Sequence, residues 1–364
     1  MAIEYIGIEN FRNHKQQSFD LQTAKSLANI IGFVGKNGVG KTNILEAISM
    51  IAGSKGLRTA KVEEIKNKDT KLDFKILIDI NGDRVLLEGV KARKKFTLNG
   101  SPLKSFFEVS QMISTIWVSS ELEYLFAHSQ STRRDFFDKI TFCFFNNHYA
   151  LLAKAQTLAS ERLNALLQIN DESGFIPQSL LPSIEYIEGK LSDTILEITQ
   201  NRISLTSYIN LYLANNNTTY LASVKQVLKY FEGQGSITKQ SIKDIFVKNR
   251  LKDKFSKQTN FSHLKVTTSL CIKGKNVELN EFSAGEIKFI LTELCFAFAA
   301  SLKQIEPARN IILLLDDLFA KLDAKNLSLI IKYIEDWHFG QVFFSSTSPI
   351  PQKEDDPRYK MFVL

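Results

Sequence analysis

Eight consecutive residues carry the clearest chemistry in the chain: Gly35-Lys36-Asn37-Gly38-Val39-Gly40-Lys41-Thr42. The spacing is G-x-x-x-x-G-K-[ST], the pattern of a loop that cradles phosphates. Its glycines let successive backbone N–H groups turn inward, and a following helix adds its positive end. In such a loop Lys41 reaches the β- and γ-phosphate oxygens and the Thr42 hydroxyl ligates Mg²⁺. A second constellation lies far downstream, where the apolar run Ile311 to Leu315 ends in Asp316 and Asp317. Asp316 is the expected metal carboxylate, directly or through water. Asp317 is the expected general base for an attacking water. A third segment is Phe282-Ser283-Ala284-Gly285-Glu286-Ile287-Lys288. Ser283 and Glu286 form a capping box, which by itself explains both residues. Their place shortly before the paired acids gives the segment added weight.

Positioning these groups needs strands that end at one edge and helices that start there. Residues 30–34 form a short, wholly apolar run, as in a strand buried on both faces. Residues 41–51 predict a helix with Ile44, Leu45, Ile48 and Ile51 on one face. Upstream, Ile3 to Ile8 is apolar at period two until Asn10-Phe11-Arg12-Asn13-His14 breaks it. Further strands are predicted at 72–80, 84–90, 94–98 and 113–118, with a turn at Asn81-Gly82-Asp83. The period then becomes helical over 132–168 and 183–212, separated by a loop holding Asp171, Gly174, Pro177 and Pro182. The stripes Leu151, Ala155, Leu158, Arg162, Leu166 and Ile184, Ile187, Leu191, Ile195, Ile198 predict an antiparallel helical hairpin. Shorter helices are expected at 219–232 and 239–252. Strand signal returns near Val266, followed by a helix from 287 and strands at 311–315 and 341–347. The expectation is an α/β head split by a helical insertion. Residues 1–145 and 262–364 are its two halves, and 146–261 a helical lobe.

The chain has 364 residues, 44% hydrophobic and 23% charged, which excludes global disorder and allows a large core. Cys143, Cys271 and Cys295 form no C-x-x-C pair, and there is no H-E-x-x-H. A disulfide framework, a zinc ribbon and a zincin site are therefore not expected. No apolar run approaches a membrane helix, and no signal-peptide pattern opens the sequence, so a cytoplasmic protein without membrane contact is expected. The formal charge of +7 permits a polyanion partner, although a composition rich in Lys, Ile, Asn and Phe also explains it. The run Lys91-Ala92-Arg93-Lys94-Lys95-Phe96 reads either as a track for a DNA backbone or as a lysine-protected sheet edge.

Taken in order, the phosphate loop, the S-x-G-E segment, the apolar strand ending in Asp316-Asp317 and Ala320-Lys321-Leu322-Asp323 resemble the ABC-type ATPase heads of the SMC and RecF group. Within that group the chain is similar to the RecF family. The matching segments are Asn10-Phe11-Arg12-Asn13, 37–47, Gly56-Leu57-Arg58-Thr59, Asn99-Gly100 and Arg133-Arg134-Asp135-Phe136-Phe137-Asp138. Only about a hundred spare residues separate the two halves, which fits the short arm of RecF rather than an SMC coiled coil.

The resemblance implies an ABC-type P-loop ATPase head split by a helical lobe with a short antiparallel arm. It implies ATP and Mg²⁺ as cofactors, with Gly35 to Thr42 and Arg12 as nucleotide contacts and Thr42 and Asp316 on the metal. Lys41 and Asp317 would be catalytic. Ser283, Gly285 and Glu286 would cap the γ-phosphate held by a second copy, so that ATP glues a homodimer. The implied role is an ATP-dependent DNA-binding protein of recombinational repair, replication-gap processing and the SOS response, partnered by RecO and RecR. The sequence also departs from the family. Ile287 replaces the signature Gln, Ser120 and Gln130 replace prolines, Thr347 stands at the switch-histidine position, and no Q-loop Gln is seen. Slow, DNA-stimulated hydrolysis is the resulting expectation. The alternatives are a nucleotide-gated DNA clamp with negligible turnover and a transporter-type nucleotide-binding subunit. Arg12 is open between a phosphate contact and a surface role. Arg58 reads as a DNA-coupling residue or a solvated loop residue. Arg133 and Arg134 open a predicted helix, where cations are disfavoured, so a partner is expected: Asp138 in a structural salt bridge, or else nucleotide or DNA.

Overall fold

The computed structural model describes residues 2–23, 26–51, 60–91, 93–103, 107–119, 130–169, 177–216, 218–231, 236–263, 265–273, 282–317, 322, 324–337, 340–348 and 356–364. They fall into two compact units, Met1–Ala127 with Val277–Leu364, and His128–Asn276.

In the first unit two sheets enclose a helix. Strands β1 (Ile3–Phe11), β2 (His14–Asp20), β4 (Lys75–Ile80), β5 (Asp83–Val90), β6 (Arg93–Leu98) and β7 (Ser101–Pro102) form an antiparallel sheet in the order β2-β1-β4-β5-β6-β7. Strands β3 (Ile30–Val34), β8 (Ile113–Val118), β11 (Asn310–Leu315), β12 (Gly340–Ser346) and β13 (Tyr359–Val363) form a parallel sheet in the order β13-β3-β12-β11-β8. Helix α1 (Lys41–Ile51) buries nine of its eleven residues between them. Ile44, Leu45 and Ile48 join one core with Ile6, Ile76 and Val85 of the antiparallel sheet and Phe33, Leu314 and Phe343 of the parallel one. Strands β3, β8 and β11 are buried along their whole length, which is why their sequences lack polar alternation. Gln341 stitches the two layers: its side chain accepts from Ile3 N at 2.7 Å and donates to the carbonyls of Ile3 and Ala28, both at 2.9 Å. Short helices α2 (Val62–Ile65) and α3 (Phe107–Met112) lie in the connections, and α8 (Ala284–Ile305) and α9 (Ala324–Glu335) pack together, α8 against β8 and β11.

The second unit contains α4 (Gln130–Phe144), α5 (His148–Leu167), α6 (Leu181–Asn215), β9 (Leu221–Leu228), α7 (Lys239–Ser256) and β10 (Val266–Ile272). Asn147 bonds Glu197 at 2.8 Å and Arg162 bonds Glu188 at 3.0 Å, so α5 and α6 run antiparallel, as their stripes predict. Two expectations are corrected. Residues 219–232 are not a helix: β9 pairs antiparallel with β10 from Leu228↔Val266 to Leu221↔Ile272, and a 3₁₀ turn follows over Lys229–Phe231. Leu221, Val224, Val227 and Leu228 satisfy a helical period, but pairing with β10 decides the conformation. The helix expected over 132–168 breaks at Phe145–Asn147, where His148 N donates to the Phe145 carbonyl at 2.9 Å and α5 starts anew. Strands β2 and β13 had no sequence signal. The expected boundaries at 145/146 and 261/262 both lie inside the second unit, because α4 packs on β10 and on α5 and α6.

Candidate functional site

Parallel strands end at a common edge, and here β12 lies between β3 and β11. The glycine loop leaves β3, Asp316 follows β11, and Ser345 stands near the end of β12 between them. Such strand ends are where open α/β sheets hold ligands. The three elements converge on one oxygen. Thr42 Oγ1 donates to Asp316 Oδ1 at 2.8 Å, and Ser345 Oγ donates to the same Oδ1 at 2.7 Å. The Asp316 N–H is fixed by the Val118 carbonyl at 2.8 Å.

Lys41 is buried and lies across the loop, donating to the carbonyls of Gly35 at 2.7 Å and Lys36 at 2.9 Å. Gly38 and Gly40 have φ of +87° and +106°, which L side chains rarely adopt. At Gly40 a Cβ would also lie 2.4 Å from His14 Nε2 and 2.6 Å from Asn13 Oδ1. These neighbours grip the loop. His14 Nε2 is 3.1 Å from the Gly40 carbonyl, Asn13 Nδ2 donates to the Val39 carbonyl at 3.1 Å, and Asn43 Nδ2 donates to Asn13 Oδ1 at 2.7 Å. Asn13 lies in the turn between β1 and β2, and His14 is the first residue of β2. The sequence marks this segment as a break and as a family-matching stretch with Arg12 as a nucleotide contact, but assigns no role to Asn13 or His14; the available signal is an Asn and a His directly after the arginine.

Arg12, with φ 53°, forms a two-pronged pair with the buried Glu46 carboxylate at 2.9 and 2.6 Å. Its third nitrogen donates to the Glu64 carbonyl at 2.7 Å. The Arg12 guanidinium thus ties the β1–β2 turn to α1, beside the loop.

Asp317 adopts a left-handed backbone, φ 49°. Two tethers hold it there: its N–H donates to Ser345 Oγ at 2.7 Å, and its carbonyl accepts from Lys288 Nζ. Lys288 belongs to α8, which opens with the capping box the sequence predicts. Ser283 Oγ donates to Glu286 Oε2 at 2.9 Å and accepts from Glu286 N at 3.3 Å, while Ser283 N donates to Glu286 Oε2 at 3.0 Å. Gly285 sits in the first turn of the helix. The S-x-G-E segment and the paired acids are therefore linked within one chain through Lys288, whose position next to Ile287 gave no hint of that role.

The donor set suits Mg²⁺. Thr42 and Asp316 present a hydroxyl and a carboxylate oxygen 2.8 Å apart, hard ligands of the kind that share this ion with phosphate oxygens and water. No cluster of three or more His, Cys, Asp or Glu able to hold a metal occurs among the described residues.

Other sequence expectations fall elsewhere. Asp138 lies in the second unit and is held by Arg202 through two 2.8 Å bonds and by His148 at 3.0 Å; Arg134 pairs with its neighbour Asp135 at 2.8 Å. Arg93 to Phe96 of the basic run fall on β6, beside the two-residue edge strand β7, with Arg93 and Lys95 exposed; Ala92 lies outside the described residues. Thr347 is exposed just beyond β12. Arg58, Ser120, Ala320, Lys321 and Asp323 lie outside the described residues.

The family described as RecF/RecN/SMC N terminal domain matches residues 2–362. Relatives named DNA replication and repair protein RecF cover nearly the whole chain. The one from Rickettsia felis is 29% identical over 341 residues, 90% of this chain and 88% of its own. The one from Rickettsia canadensis is 26% identical over 339 residues, 90% of this chain and 89% of its own. Two solved structures of the recombination mediator protein RecF in the RecFOR pathway share the fold. RecF-ATPrS gives a TM-score of 0.75 at 20% identity over 98% of this chain and 96% of its own. RecF-ATP gives 0.75 at 21% identity over 97% and 94%. Since the match runs through both halves of the head and the whole of the intervening unit, the chain belongs to the RecF/RecN/SMC N-terminal-domain family, as a RecF-type member.

Proposed function

We propose that this protein is a DNA replication and repair ATPase that binds ATP with Mg²⁺ at the strand-end site and uses it to assemble a homodimer on DNA. The observation that carries the reading is the meeting of Thr42 and Ser345 on Asp316 Oδ1, directly beside a glycine loop gripped by His14 and Asn13. Lys41 would exchange the carbonyls of Gly35 and Lys36 for phosphate oxygens, a charge-assisted contact stronger than the one it gives up. Thr42 and Asp316 would hold Mg²⁺, which neutralises phosphate charge when bound. Asp317 follows β11 with a tethered, left-handed backbone, and its carboxylate would accept a proton from the attacking water. The relatives' name and the RecFOR pathway of the structural neighbours support DNA, with RecO and RecR, as partners.

A nucleotide-gated clamp with negligible turnover is the second reading. It is favoured by the departures from the family pattern, Ile287 in place of the signature Gln and no Q-loop Gln. Turnover of ATP with and without duplex DNA separates the two. Sedimentation with and without ATP and Mg²⁺ tests what they share: the sedimentation coefficient should rise to that of a dimer only with both present. A monomer under every condition would overturn the ATP-assembled dimer.

A further inference from the structure

Helix α7 turns one face inward and leaves another bare. Ile242 and Phe246 are buried, Arg250 bonds Glu188 Oε2 at 2.6 Å, and Asp253 takes Arg162 at 2.7 Å. On the outer side Val247, Leu251 and Phe255 stand four residues apart and are 44%, 45% and 63% exposed. At about 100° per residue, this spacing draws a continuous stripe along the helix. Scattered exposed apolar side chains are ordinary, but an unbroken stripe marks a contact surface. Lys248 and Lys252 are exposed on one flank; Lys243 and Lys254 lie on the other, with Lys254 Nζ 5.8 Å from the Phe255 ring centre. Asp244 is the lone acid of α7 that is not buried, and Gln240 bonds it at 2.6 Å.

We propose that this stripe, in the second unit, is a docking surface for an acidic amphipathic helix of a partner protein. The apolar stripe asks for an apolar ridge, and the lysine rim asks for carboxylates beside it. A second copy of α7 does not fit, because a two-fold contact would set Lys248 and Lys252 against themselves. Nucleic acid would use the lysines through its phosphates but leaves Val247, Leu251 and Phe255 without a reason to be exposed. The inference does not depend on what the first unit binds.

The test uses the full chain without nucleotide and a fluorescein-labelled helical peptide with leucines at i, i+4 and i+7 and glutamates elsewhere. Fluorescence anisotropy should show binding by the wild type. Leu251→Glu and Phe255→Glu should weaken it at least about tenfold, as hot-spot residues do. Lys248→Glu with Lys252→Glu should lose the glutamate peptide and gain one of the same pattern built with lysines. Circular dichroism checks that each variant is folded, and the two lysine positions, being exposed, keep the test open if Leu251→Glu unfolds. Absence of wild-type binding overturns the proposal, as does equal binding of a scrambled peptide. Loss of duplex DNA affinity in Leu251→Glu with peptide binding intact would make this a nucleic-acid surface instead. A dimer present in the wild type and absent in Leu251→Glu would make it a self-contact.

Discussion

Ser345 donates its hydroxyl proton to Asp316 Oδ1 at 2.7 Å and, with the same oxygen, accepts the N–H of Asp317 at 2.7 Å. One hydroxyl on the middle strand thus orients both acids that follow β11. It aims Asp316 at Thr42 and fixes the peptide that holds Asp317 in its left-handed conformation. Strand order places this hydroxyl between the two acids, and Lys288 adds the second tether on the Asp317 carbonyl.

Ser345→Ala removes both contacts at once. It leaves a part-buried N–H without its acceptor and releases Asp316 to rotate away from Thr42. Stability should fall by about 1–3 kcal/mol, the usual penalty for such an orphaned group. Mg²⁺-dependent ATP affinity should fall more than Mg²⁺-free affinity. Urea unfolding and calorimetric titration with and without Mg²⁺ read these effects. Equal losses with and without the metal would reduce Ser345 to a structural residue.

Lys41→Ala should abolish most ATP binding while leaving the fold intact, because among the described residues the ammonium bonds two loop carbonyls. A loss of about 10- to 100-fold corresponds to the worth of hydrogen bonds made by a charged group. His14→Ala should do less, since it removes one grip on Gly40 and leaves those of Asn13 in place. Calorimetry that ranks His14→Ala above Lys41→Ala would mean the loop, and not the lysine, is the main determinant.

The sequence announces the loop and the acids because phosphate cradling and hydrophobic strands impose local patterns. Gly38 and Gly40 are needed for positive φ, and β11 is apolar because both its faces are covered. What joins the parts was not legible. Ser345 lies 29 residues after Asp316, and the bond depends on β12 lying between β3 and β11, which no local pattern encodes. Lys288, Asn13 and His14 share this dependence on tertiary placement. The helix expected over 219–232 failed for the same reason, since its residues fit two periods and only β10 chooses between them.

Acid should destabilise the second unit in two stages. Burial penalises the charged Asp138, but the His148 hydrogen bond and Arg202 outweigh it and hold the carboxyl at about 2, below the ordinary 3.8. That contribution is complete above pH 3.8 and fades as pH falls toward 2. His263 is lowered to about 3 from 6.5, first by burial and then by Arg202. The unfolded chain takes up the imidazole proton first, so stability falls as pH drops from 6.5 toward 3. Urea midpoints should therefore decline between pH 7 and pH 4.5 in the wild type and less steeply in His263→Gln. Identical slopes would show that His263 titrates at its ordinary value.

Dimer formation and turnover should separate in two variants. Asp317→Asn keeps the Thr42–Asp316 pair and the backbone tethers to Ser345 and Lys288, so Mg²⁺ and ATP still have their ligands. It loses the carboxylate that can take a proton, so ATP should persist and the dimer with it. Ser283→Arg acts at the start of α8. It breaks the capping box with Glu286, at about 1 kcal/mol of stability, and sets a bulky cation where the γ-phosphate of a second copy would approach. The glycine loop is untouched, so ATP should bind as before while the chain stays monomeric. Ser283→Ala removes the cap without the bulk and controls for the lost stability. Light scattering at equal ATP saturation should find an inert dimer for Asp317→Asn, a monomer for Ser283→Arg and an intermediate population for Ser283→Ala. If Ser283→Arg dimerises like the wild type, Ser283 is a helix cap and nothing more, and the dimer does not form through this segment.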